Sequence, residues 1–139
     1  MGTWSTEIFG NDESLHWLSS LENKNNYSLI RKSLVEILTI GESYIEIDLA
    51  SGALAAAEVI AQAMGHPGSS EAIVNRIGEW LEFDCHEELP SDLLHKAQLA
   101  TERVLRPPSE MLEGWQSPAD LNEWCQHVRE LQARLNLTT

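Results

Sequence analysis

The stretch from Leu49 to Met64 reads LASGALAAAEVIAQAM, and its polar side chains are confined to Ser51, Glu58 and Gln62. A helix that is apolar on nearly every side is normally buried, with other elements packed around it. Its many alanines have short side chains, so neighbouring helices can approach it closely. The stretch therefore predicts the central helix of an all-α fold.

Helix signals continue on both sides of this stretch. Asn11 or Asp12 is positioned to cap a first helix, and Ser117 is positioned to cap the last one. The period-two alternation of half-buried strands is nearly absent. We therefore expect a single helical domain over residues 1–139, a compact bundle of about six to seven helices around a central helix at 49–64.

The few polar residues of the central helix share one of its faces. Ser51, Glu58 and Gln62, together with Ala55, follow one another at helical spacing. The simplest interpretation is a narrow seam that faces solvent.

The charge balance limits the possible partners. The chain has 139 residues, with 22 acidic and 9 basic side chains and a formal net charge of −13. Such a charge repels phosphate backbones, so we expect no nucleic acid partner. A basic protein is the better candidate, because opposite charges steer association. Solubility alone is the alternative explanation of the acidity.

The cysteines and the apolar runs indicate the compartment. Cys85 and Cys125 belong to no CxxC pair, which suits a reducing environment, and the longest apolar run, Ala53 to Ala57, is far too short to span a bilayer. The N-terminus lacks the features of a secretory signal. We expect a cytoplasmic protein without a membrane partner.

An acidic run at residues 82–88 is the candidate partner-binding segment. It reads EFDCHEE and carries four carboxylates, those of Glu82, Asp84, Glu87 and Glu88. These residues form either an anionic docking patch for basic side chains or a solvated loop. Adjacent residues do not converge on one ion, so the run does not predict a zinc site.

Carboxylates elsewhere suggest a second class of function. Asp12, Glu46 and Glu58 are candidates to surround a divalent metal, which binds several oxygens at once. However, residues 44–47 have the β-branched composition of a short extended connector between helices. Glu46 is therefore not expected to share a helix face with the other carboxylates. No catalytic triad pattern or glycine-rich phosphate loop occurs. We therefore expect no enzyme active site, metal or cofactor.

Two segments resemble a bacterial family of uncharacterised proteins, a domain of unknown function. The opening MGTWSTEIFGND is similar to a signature that starts Met-Gly-x-Trp-Gly, continues to Phe-x-Asn-Asp and enters a helix containing a Trp. The middle of the chain, YIE at 44–46 and ALAAAEVI at 53–60, is also similar. The resemblance implies structural roles for the matching residues Trp4, Phe9, Asn11, Asp12, Trp17, Tyr44, Glu46 and Glu58.

The resemblance gives several of these residues a specific role. Trp4 and Phe9 are expected to plug the helix layer ahead of the first cap. Asn11 and Asp12 are expected to bind exposed helix amides, and Glu46 to satisfy buried backbone donors near the start of the chain.

The chain is similar in type to immunity proteins, because it is small and acidic and lacks a catalytic pattern. Such proteins block a toxin, often a basic nuclease, by covering its active site with a complementary surface. We therefore expect a protein-binding module, an immunity or antitoxin-like inhibitor of a cognate basic toxin. A metal-dependent enzyme and a structural protein without a dedicated ligand are the alternatives, and the oligomeric state stays open.

Overall fold

The part of the chain that the computed structural model describes, residues 5–137, is built of helices around one buried helix. Its elements are α1 (Asp12–Leu21), α2 (Ser28–Thr39), α3 (Ile47–Ala63), α4 (Glu71–Glu79), a π-helical turn (Trp80–Asp84), α5 (Leu93–Val104), α6 (Glu110–Glu113) and α7 (Pro118–Leu135). These seven α-helices form a compact bundle. The prediction of an all-α bundle is confirmed.

Helix α3 is the central element, as the alanine-rich stretch predicts. It packs against α1, α2, α5 and α7, and more lightly against α4 and α6. Every residue from Ala50 to Ala61 is buried. Although α3 is apolar, no helix within residues 5–137 is long and apolar enough to cross a membrane.

Helix α3 begins two residues earlier than the predicted 49–64. The reason is a side chain from another element: Glu110 Oε1 accepts a hydrogen bond from the Ile47 N–H at 2.7 Å. The first N–H groups of a helix have no partner within the helix, so this carboxylate supplies one from outside.

The prediction of a solvent-facing seam on α3 is wrong. Ser51 and Ala55 are fully buried and Glu58 is only 7% exposed. Asn11 Nδ2 donates a hydrogen bond to Ser51 Oγ at 3.3 Å, and Arg134 of α7 covers Glu58. The segment before α1 and the last helix thus close the face that the sequence left open.

Two of the helix caps predicted from the sequence, Asn11 and Ser117, are confirmed. Asn11 Oδ1 accepts a hydrogen bond from the Ser14 N–H at 2.8 Å and so starts α1. Ser117 Oγ accepts from the Asp120 N–H at 3.1 Å at the start of α7. Each bond satisfies one of the free N–H groups at a helix start.

Of residues 44–47, predicted to form an extended connector, Ile45 and Glu46 are extended, whereas Ile47 begins α3. Ile45 forms an isolated parallel β-bridge with Ser109. The Ile45 N–H donates to the Pro108 carbonyl at 3.2 Å, and the Ile45 carbonyl accepts from the Glu110 N–H at 2.8 Å. The bridge ties the start of α3 to the start of α6.

The buried side chain of Arg103 holds the same connector from α5. Its Nε and Nη2 donate to the carbonyls of Gly41 and Ser43 at 2.9 and 2.8 Å, and its Nη1 donates to the Arg106 carbonyl at 2.7 Å. All of these partners are backbone groups, so the guanidinium fixes the course of the chain between α2 and α3.

We expect the close packing around α3 to make enlargement of its alanines destabilising. Ala56→Leu introduces three additional carbons into a filled core and should lower the free energy of unfolding by about 1–3 kcal/mol. Urea denaturation monitored by circular dichroism measures this loss.

Ala119→Leu is the matched control, because Ala119 is exposed in the first turn of α7. It should change the free energy of unfolding by less than about 0.5 kcal/mol. Equal losses in the two variants would contradict the central position of α3.

Candidate functional site

The candidate binding segment begins in the π-helical turn that follows α4. Trp80 anchors the turn in the core. The next residues turn outward, and Phe83 is 66% exposed between the exposed side chains of Glu82 and Asp84. An additional residue in a helical turn redirects the side chains that follow it, and such turns recur at functional sites.

Hydrogen bonds to the turn itself and to the α1–α2 loop hold the segment that follows the turn. The Cys85 N–H donates to the Trp80 carbonyl and the His86 N–H to the Asn25 carbonyl, both at 2.8 Å. Trp80 Nε1 donates to the Lys24 carbonyl at 2.9 Å. Phe83 is therefore displayed from a backbone that is fixed behind it.

Glu87, one of the four predicted binding residues, has a structural contact. Its Oε1 accepts a hydrogen bond from the Tyr27 N–H at 2.8 Å, just before α2. Tyr27 packs edge-on against Trp80, with ring centroids 5.6 Å apart. Burial, the Cys85 thiol and the Glu87 carboxylate raise the pKa of Tyr27 to about 12.

The other three predicted residues remain on the outside. Glu82, Asp84 and Glu88 are exposed and have no ion pair within the described residues. We call Glu82, Phe83, Asp84 and Glu88 the acidic surface. Its role in partner binding stays a prediction.

The acidic surface belongs to a molecule with many unpaired carboxylates. Six of the nine cations form ion pairs, and six carboxylates accept them, so 16 of the 22 carboxylates have no cation within 4 Å. All of these charged residues lie in the described range 5–137. The negative potential is thus a property of the folded surface and not only of the composition.

Phe9 and Trp17, two of the signature residues near the N-terminus, contact the core. Phe9 is half-buried against the core, and Trp17 Nε1 donates to Ser33 Oγ at 2.8 Å. A Cβ on Gly52 would lie 3.3 Å from Trp17 Cδ1, so the glycine leaves room for the indole. The expectation that Asp12 binds helix amides is wrong: Asp12 is exposed in the first turn of α1, and Asn11 alone caps the helix. Trp4 lies outside the described residues.

Glu46 does not have the role expected of it. Its side chain is exposed and makes no capping bond at the start of α3, where Glu110 binds the backbone instead. It lies near Tyr44, whose side chain is 48% exposed. Partial desolvation and the carboxylates of Glu113, Glu110 and Glu46 raise the pKa of Tyr44. Tyr44 therefore marks a second acidic surface.

Glu58 forms a buried ion pair with Arg134. Its two carboxylate oxygens accept from Nη2 and Nη1 of Arg134, the latter at 3.2 Å, and both side chains are about nine-tenths buried. Arg134 also donates to Glu130 Oε2 at 2.7 Å and to the His66 carbonyl at 3.2 Å. The pair joins the end of α3 to α7.

The three carboxylates considered for a metal site do not meet. Glu46 and Glu58 are separated by twelve residues at either end of α3, a rise of about 18 Å. Asp12 is exposed on α1, and Glu58 is occupied by Arg134. In the part of the chain described by the structure, no group of three or more His, Cys, Asp or Glu side chains is placed to hold a metal ion.

The model of the family described as Domain of unknown function (DUF4259) matches residues 2–127. Neither a curated protein nor a solved structure matches the chain.

We expect the Glu58–Arg134 pair to depend on both of its partners. Glu58→Ala removes one of the two carboxylates that pair with the buried guanidinium of Arg134. It should lower the free energy of unfolding by about 3–5 kcal/mol. The double variant Glu58→Leu with Arg134→Met should lose less, because no charge stays buried. Chemical denaturation of the three proteins measures this.

The exposed pair of Lys32 and Glu36 supplies the control. Glu36→Ala should cost less than about 1 kcal/mol. A double variant less stable than Glu58→Ala would contradict the interpretation.

We expect Asp92 to contribute to the acid sensitivity of the fold. Arg31 forms a two-bond ion pair with it, at 2.6 and 3.0 Å, and Lys96 lies 3.1 Å away; these cations hold the pKa of Asp92 well below its usual range. Because its pKa is lower folded than unfolded, the contribution is present at neutral pH and is lost as the pH falls below the unfolded value of about 4.

Asp92→Asn should therefore lower Tm at pH 7 and reduce the further fall in Tm between about pH 5 and 2. Glu102→Gln, at an exposed carboxylate without an ion pair, should keep the full acid-induced fall. An unchanged pH profile in Asp92→Asn would rule out this contribution.

Proposed function

Since the chain belongs to the family described as Domain of unknown function (DUF4259), we propose a function from the chemistry of its surface. The proposal is a protein-binding module, an immunity or antitoxin-like inhibitor that covers the active site of a basic toxin. The observation that supports it best is Phe83, exposed at 66% in the middle of unpaired carboxylates.

An exposed aromatic ring with a charged rim has the composition of a binding hot spot. Interfaces take most of their free energy from a few anchors, and the surrounding polar residues exclude water. Phe83 provides the apolar anchor, and Glu82, Asp84 and Glu88 provide the rim. These carboxylates favour a partner whose matching pocket is ringed with Lys or Arg.

The acidic surface is also suited to tight binding because its backbone is fixed in advance. The bonds from Cys85 and His86 to their carbonyl partners, and from Tyr27 to Glu87, hold the segment in place. A surface that is already ordered loses less conformational entropy when it binds.

The overall charge supports the choice of partner. A formal charge of −13 opposes a phosphate backbone and accelerates encounter with a basic protein. The alternative of a metal-dependent enzyme lacks an observation in its favour, because its three candidate carboxylates lie apart. We place the inhibitor in the cytoplasm, where the free thiols of Cys85 and Cys125 stay reduced.

The experiment is a pull-down from the native host with the full chain as bait, followed by titration of the most basic captured protein. Phe83→Ala should weaken that complex at least about tenfold. The triple variant Glu82→Gln, Asp84→Asn and Glu88→Gln should weaken it and reduce its dependence on salt. Glu87 is left unchanged because it caps the chain at Tyr27.

Three other exposed carboxylates, those of Glu46, Asp48 and Glu113, supply a control with the same change in charge. The triple variant Glu46→Gln, Asp48→Asn and Glu113→Gln should bind with less than about a threefold loss. If this set weakens the complex and the first set does not, the acidic surface is not the binding site. Failure to capture a basic protein would reject the proposed function itself.

A further inference from the structure

A cavity of about 300 Å³ lies on the side of the molecule where α7 covers the end of α3. Segment 5–10, the start of α4 and α7 line it, and it is partly open to solvent. Ile8, Phe9 and Ile73 form its apolar wall, and Glu58 and Arg134 lie on its polar side. A concave apolar wall with a few convergent polar groups is typical of small-molecule sites, and this volume is at the small end of their range.

The Glu58 carboxylate has unused hydrogen-bonding capacity in this cavity. Each of its oxygens accepts one hydrogen bond, both from Arg134, among the described residues. An ionised carboxylate has about four acceptor positions. A nine-tenths buried carboxylate that uses half of them is ready to accept from a donor that enters the cavity.

Gly68 keeps one carboxylate oxygen accessible. A Cβ on Gly68 would lie 3.2 Å from Glu58 Oε2 and 3.6 Å from both Nη atoms of Arg134. Any larger residue would fill the space next to the carboxylate. The glycine therefore leaves room for a group of about the size of a methyl or an ammonium.

The charges of the lining favour a cation over an anion. The carboxylates of Glu7, Glu58 and Glu130 outnumber the single guanidinium of Arg134, which gives a formal charge of −2 with His127 neutral. Four of the five guanidinium N–H groups already donate, to Glu58, Glu130 and the His66 carbonyl. An anion would thus find one free donor and an excess of negative charge.

We propose that this cavity binds a small primary amine in its ammonium form. The ammonium donates to Glu58 Oε2 next to Gly68, and the alkyl group lies against Phe9 and Ile73. The site is separate from the acidic surface, so the proposal does not depend on the proposed function.

The test is a titration of the full chain, labelled with ¹⁵N, with 3-methylbutylammonium chloride, followed by amide chemical shifts. We expect saturable shifts centred on the amides of Gly68, Ser69 and Ile73. The isosteric alcohol 3-methylbutan-1-ol and the anion 3-methylbutanoate should bind at least about tenfold more weakly, because they lack the ammonium.

Gly68→Ala fills the space next to Glu58 and should weaken amine binding at least about tenfold. Gly78→Ala is the matched control, since its Cβ would meet only Gln62 Nε2 at an ordinary 3.4 Å. It should bind like the parent chain. Glu58→Gln should also lose binding, but it removes half of a buried ion pair, so Gly68→Ala decides the outcome if Glu58→Gln does not fold.

The proposal is overturned by any of three results. These are the absence of saturable shifts up to about 20 mM amine, equal binding of the alcohol and the amine, and unchanged binding in Gly68→Ala.

Discussion

The burial of α3 on every side is the constraint from which the rest of the structure follows. A helix enclosed in this way satisfies its own backbone, but each polar side chain on it must find a partner in the protein. Ser51 finds Asn11, and Glu58 finds Arg134. The segment before α1 and the last helix are thus held against α3 by its two buried polar side chains, Ser51 and Glu58.

The sequence was sufficient where the decisive interactions are local. The caps at Asn11 and Ser117 and the central alanine-rich helix all depend on residues within a few positions of one another. The seam on α3 was misjudged because its cover comes from Arg134, 76 residues beyond Glu58. The backbone contact at the start of α3 comes from Glu110, 63 residues beyond Ile47. Pairings over such distances leave no periodic pattern in the sequence.

The candidate binding residues show the same division. Their position on the outside followed from the run of acidic residues, but the sequence did not distinguish Glu87 from its neighbours. Only the folded chain brings Glu87 to the Tyr27 N–H and turns Phe83 outward from the π-helical turn. The aromatic centre of the acidic surface was therefore missed, although the alternation of Glu82, Phe83 and Asp84 in a stretch after a helix was a signal that pointed to it.

The way Arg103 holds the connector has a consequence for how this fold can vary in evolution. The guanidinium binds carbonyls of Gly41, Ser43 and Arg106, and every amino acid has a carbonyl. Side chains in the connector can therefore change without loss of the contact. Arg103 itself is not replaceable by lysine, since an ammonium lacks the planar fork that reaches three acceptors at once. Divergence around this connector is thus tolerated at positions such as Ser43 and restricted at Arg103 and at Gly41, whose φ of +60° favours glycine.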